Sequence, residues 1–124
     1  MNFRRNSAAS ERFAERRRRE DDAPRLRAEI PDLVSLRLEI EETGASSQPK
    51  YIRRIVVDSA PALFFLPCGD ARCTDGGHDV TSSIMRALRE RRMAFEGMND
   101  CSGSVGSSSC ARVLRFDAFA EYRD

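Results

Sequence analysis

The sequence predicts an α+β fold: a small antiparallel sheet with one main helix, two cysteine loops clamping a metal, and an N-terminal Arg-rich arm. Three observations lead there. Apolar residues alternate with polar ones in segments near residue 35 and at the C-terminus. A single segment, 80–92, has helical periodicity. Four cysteines fall in two short-range pairs, with the only histidine nearby. At 124 residues, 40% apolar and 33% charged, the chain suits one domain with a highly charged surface. A net charge of +1 excludes a polybasic domain and an acidic solvating chain. No apolar run approaches the roughly 18 residues of a membrane span, and the N-terminus lacks the apolar region of a secretory signal.

The composition divides the chain into an arm, residues 1–28, and a metal-stabilised α+β domain, 29–124. The arm carries nine Arg and five acidic residues. Ser7 or Ser10 suits the start of a helix ending before Asp21-Asp22-Ala23-Pro24. No continuous apolar stripe obliges that helix to pack, so a solvated, partly disordered arm is expected. Arg16, Arg17, Arg18 and Arg19 offer a contact for a protein or nucleic-acid partner, although Glu20, Asp21 and Asp22 partly cancel their field. Of the 21 basic residues, 20 are Arg. A bias this complete reads as codon usage more than as selection for phosphate binding.

Within the domain, Val34, Leu36, Leu38 and Ile40 fall on one face of a first strand, opposite Ser35, Arg37, Glu39 and Glu41. Residues 43–50 have loop chemistry. Tyr51 to Val57 forms a second strand, interrupted by Arg53-Arg54. The apolar run Ala62-Leu63-Phe64-Phe65-Leu66 suits a strand covered on both faces, with Phe64 and Phe65 in the core. A helix over 80–92 takes Asp79 or Thr81 as N-cap and buries Val80, Ile84, Leu88 and Met85. Met93, Phe95 and Gly97 suggest a short strand. Leu114, Phe116, Ala118, Ala120 and Tyr122 read as a long closing strand. The order is β-β-β-α-β-β.

The first cysteine pair, Cys68 and Cys73, has C-x4-C spacing in Pro67-Cys68-Gly69-Asp70-Ala71-Arg72-Cys73. The second, Cys101 and Cys110, has C-x8-C spacing, and residues 102–109 read as a flexible Ser/Gly loop. Two thiolate pairs at neighbouring strand ends can converge on one tetrahedral ion, with Cys68, Cys73, Cys101 and Cys110 as ligands. Gly69, Gly103 and Gly106 let backbone N–H groups turn toward sulfur, and Arg72 and Arg112 can offset the charge of a zinc tetrathiolate. His78 is a fifth candidate ligand, or a donor just outside the ligands. Structural zinc is the leading reading. An iron–sulfur cluster, unligated thiols and disulfides remain alternatives.

The stretch PCGDARCTDGGHDVTSSIMRALRERRMAFEG, followed by CSGSVGSSSC and ARVLRF, resembles a group of small bacterial proteins of myxobacterial type. The resemblance spans about residues 20–124. It implies a cytosolic bacterial protein forming one compact unit, and it brings no established activity. The two loops are also loosely similar to four-cysteine zinc-ribbon proteins, although their spacings depart from the usual ribbon knuckles. Catalytic pairings of Cys73 with His78, or of Ser82, His78 and Asp79, lack a recognisable sequence context. Asp75 or Asp79 would serve as base only at a zinc with an open position. The expectation is a zinc-stabilised, non-enzymatic cytosolic binding module. The alternative is a thiol or iron–sulfur protein carrying electrons.

Overall fold

A computed structural model of the chain describes residues 14–44, 50–70 and 72–124. The candidate helix caps Ser7 and Ser10 lie outside these residues. Residues 14–22 are helical (α1) and a short turn of helix follows at Leu26–Glu29 (α2). The main sheet contains β1 (Leu33–Thr43), β2 (Tyr51–Ile55), β5 (Ala94–Asp100) and β8 (Val113–Tyr122). Its order is β2-β1-β8-β5, antiparallel throughout. Two small ladders stand apart from it: β3 (Phe65–Leu66) with β4 (His78–Asp79), and β6 (Ser104–Val105) with β7 (Ser108–Ser109). The main helix, α3, spans Thr81–Arg89. The α+β class, the antiparallel sheet and the clustering of the four cysteines agree with the sequence expectation.

One face of the sheet, carrying Leu36, Leu38, Ile40, Phe95, Leu114, Phe116, Ala118 and Ala120, shares a core with Ile84, Met85 and Leu88 of α3. Alternation places these residues on one side because successive strand side chains point to opposite faces. Val34 is a correction to that pattern. The register between β1 and β8 shifts between Leu33 and Ser35, so Leu33 turns inward, fully buried, and Val34 is 46% exposed. Leu26 and Ile30 also enter the core, and Arg25 bridges to Pro61, so residues just after α1 close one side of the domain.

Three further elements differ from expectation. The second strand is an edge strand that stops at Ile55; its side chains are exposed except that of Ile55, which is half-buried against the core. The run 62–66 forms only a two-residue ladder beside the sheet. Phe64 is buried there, whereas Phe65 is half-buried. The helix opens at Thr81, with Val80 in the cap position. Asp79 Oδ1 still accepts the Thr81 N–H at 3.1 Å, and Thr81 Oγ1 accepts the Phe64 N–H at 2.8 Å. The helix stops three residues short of 92 because Arg91 adopts φ 56°. The Arg92 N–H then bonds the Ala87 carbonyl and the Arg91 N–H the Leu88 carbonyl, both at 3.0 Å. This is a Schellman closure with Arg where glycine is usual.

Candidate metal centre

The two cysteine loops leave the structure at the same end of the sheet. The first, residues 67–77, joins β3 to β4. The second joins β5 to β8 and is not a loose loop: residues 104–109 form the β6–β7 hairpin, turned at Gly106 with φ 62°. A Cys101 N–H bond to the Arg112 carbonyl (2.9 Å) continues the β5–β8 ladder past its last pair, and the Cys110 N–H reaches the Gly103 carbonyl at 2.9 Å. Thr74 and Ser104 exchange two backbone bonds, at 2.8 and 3.1 Å, and so tie the loops together.

This lacing brings all four sulfurs within 4.8 Å of one another. The approaches of Cys73 to Cys101 (3.6 Å) and Cys68 to Cys110 (3.8 Å) each cross between loops. With a zinc–sulfur distance of about 2.3 Å, a regular tetrahedron has sulfur–sulfur edges of about 3.8 Å. A disulfide needs about 2.05 Å, and all four cysteines are free thiols. Backbone N–H groups of Asp70 and Gly103 point at the sulfurs of Cys68 and Cys101, each at 3.4 Å. Such donors stabilise thiolate charge.

Glycine is required where the loops meet. A Cβ on Gly76 would stand 2.2 Å from Cys73 Sγ and 2.7 Å from Cys101 Sγ, and one on Gly103 would stand 2.5 Å from the Gly76 Cα.

The thiols titrate unequally. Burial pushes Cys68 up to about 11; the Asp70 N–H opposes the rise, and the Cys101 and Cys110 thiols add to it. Cys73 is also raised, first by burial and then by its three sulfur neighbours. At Cys101 burial again pushes upward, but N–H groups of Gly103 and Gly77 and the Cys73 and Cys110 thiols together bring the value down.

Cys101 and Cys110 are buried, while Cys68 and Cys73 line a cavity of about 560 Å³ beneath α1. Glu15, Arg16 and Arg19 form its roof, with Phe65 and Asp75 among its walls. Arg19 stacks over Phe65, 5.6 Å from the ring centroid, and meets Asp79 at 3.6 Å.

His78 does not join the sulfurs. Its ring is fully buried, with Nε2 2.9 Å from Glu42 Oε2 and Nδ1 3.0 Å from the Asn99 carbonyl. A carbonyl oxygen only accepts, so the Nδ1–H donates to Asn99 and Nε2 faces the Glu42 carboxylate. Glu42 Oε1 also meets Arg112 Nη1 at 3.3 Å and accepts the Gly69 N–H at 3.0 Å. Both arginines expected to offset thiolate charge therefore have carboxylate partners, since Arg72 pairs with Asp70 at 3.1 Å. With both ring nitrogens engaged by Glu42 and Asn99, His78 has none left for Cys73 or Ser82. Ser82 is exposed on α3.

Sequence reading missed Glu42 and Asn99. The signal was present in β1, where the alternation Leu36, Leu38, Ile40 continues to residue 42 and places a carboxylate on the buried face. Comparison of the chain with protein-family models, curated proteins and solved structures returns no significant match. Among the described residues, no helix is long and apolar enough to cross a membrane.

Proposed function

We propose that the chain is a small, non-enzymatic cytosolic binding module stabilised by one zinc ion on Cys68, Cys73, Cys101 and Cys110. The observation that carries this reading is the convergence of four free thiols within 4.8 Å. Cross-loop spacings of 3.6 and 3.8 Å favour a single ion over a multi-iron cluster, whose bridging sulfides would spread the cysteines across several irons. Four thiolates close the coordination sphere, so water has no position from which to react. The resemblance of residues 20–124 to small bacterial proteins is the ground for placing it in a bacterial cytosol.

The module would present a surface to a protein or nucleic acid. Arg16 and Arg19, three residues apart on α1, line the cavity above the thiols, and Arg17, Arg18 and Arg19 are all exposed. Partner contact is assigned to the run Arg16, Arg17, Arg18 and Arg19.

Metal and acid-labile sulfide content, with the visible spectrum of protein purified without oxygen, test the central claim. One zinc per chain and no colour are expected. Iron with sulfide would make the chain an electron carrier, and absence of metal would remove the reading. Changing Arg16, Arg17, Arg18 and Arg19 to Ser should lower nucleic-acid affinity and flatten its salt dependence, and unchanged affinity would remove the arm from the interface.

A further inference from the structure

We propose that Glu42 is the positioning residue of the cysteine cluster, a single buried carboxylate that sets three of the four sulfurs through the backbone segments beside them. This deepens the metal-site reading by naming what holds the ligands in place.

Glu42 is 6% exposed at the end of β1, on the core face of the sheet. Its carboxylate reaches outward to each loop. The Gly69 N–H, one residue after Cys68, lies 3.0 Å from Oε1 and 3.3 Å from Oε2. Arg112, two residues after Cys110, meets Oε1 at 3.3 Å. The same Arg112 accepts the Cys101 N–H at its carbonyl, 2.9 Å away. On the other side His78 Nε2 meets Oε2 at 2.9 Å, and the far nitrogen of the ring contacts Asn99, two residues before Cys101. Cys73 lies outside this network and is held by its own turn, with its N–H on the Asp70 carbonyl at 3.0 Å.

The physical case rests on cost. A buried carboxylate is retained only where several donors surround it. Here those donors come from β4, from the first loop and from the strand leaving the second. Removing the acceptor takes one partner from the Gly69 amide and one from the Arg112 side chain together, so the Cys68 and Cys110 anchors loosen as a pair. Groups in this position around a metal are known to change its affinity by roughly 10–100-fold when altered.

The test is residue-resolved alkylation of the zinc-loaded protein, read by mass spectrometry at each cysteine. Glu42→Leu keeps the volume and loses the acceptor. It is expected to speed modification of Cys68, Cys101 and Cys110 by at least about 10-fold, with a smaller change at Cys73. Glu42→Gln keeps an acceptor for the Gly69 amide and should stay close to the native rates. Equal acceleration at all four cysteines, as general destabilisation would produce, overturns the proposal; so do native rates at Cys68 in Glu42→Leu. A second measurement needs no variant. The Gly69 amide of the native chain should be protected from hydrogen exchange, and exchange at the rate of an open loop amide would overturn the proposal. Metal analysis of the same sample judges the zinc reading separately, since protection of Gly69 can be read whether or not zinc is found.

Discussion

Gly76 and Gly106 occupy the same cluster of loops, yet the same substitution meets different physics at each. An alanine at 76 would drive its Cβ into the sulfurs of Cys73 and Cys101, while one at 106 has nothing within 4 Å and meets only the left-handed backbone. Gly76→Ala is expected to cost about 1–3 kcal/mol through overpacking and to lower zinc affinity, read by thermal unfolding and chelator competition. Gly106→Ala should cost about 1–2 kcal/mol and leave affinity unchanged.

The thiols supply a second prediction at this scale. Because Cys68 and Cys73 are raised above the ordinary thiol value, both are protonated at neutral pH in the metal-free chain. Zinc must displace those protons. Apparent affinity should therefore rise with pH, and titration at pH 7 in a weak buffer should register release of the protons from both. An affinity flat between pH 6 and 8 would contradict the assignment of these thiols as ligands.

At the scale of elements, α1 is the least anticipated part. Nothing in its composition provides an apolar stripe, and it packs through Arg19, which spans Phe65 and Asp79, rather than through buried aliphatic residues. A contact of this kind contributes little to stability because both charges are solvated. Arg19→Ala should leave the melting temperature nearly unchanged, yet speed alkylation of Cys68 and Cys73, which line the cavity under the helix, more than that of buried Cys101 and Cys110. Equal rates at all four cysteines would show that α1 does not guard that face. The apolar run 62–66 illustrates the opposite case. Its hydrophobicity signals burial, and burial is what it receives, but its hydrogen bonds go to β4 and Thr81 in place of the main sheet.

For the molecule as a whole, the core and the metal centre are adjoining but separable. The buried apolar cluster joins the sheet to α3, α2 and the run 62–66 without any cysteine. The loops are instead held by backbone bonds, sulfur contacts and Glu42. Chelation of zinc is therefore expected to release residues 67–77 and 101–112 first, seen as rapid amide exchange there. Amides of β1 and β8 should remain slow until global unfolding. Simultaneous loss of protection in both regions would mean that the ion supports the entire fold.

Local pattern in the chain was enough to place strands about Val34–Glu41, Met93–Gly97 and Leu114–Tyr122, the main helix and the four cysteines that come together. Each of these depends on alternation, helical periodicity or the chemistry of a residue type, all of which act over a few neighbours. Tertiary structure alone decided that Val34 faces outward, that His78 meets Glu42 and Asn99, that Arg16 and Arg19 line the cavity beside Cys68 and Cys73, and which sulfurs lie nearest one another. These depend on strand register, on a bulge and on donors that lie 21 to 70 residues apart in the chain. A buried carboxylate finds its partners only after the sheet has closed around it, so no segment read alone contains them.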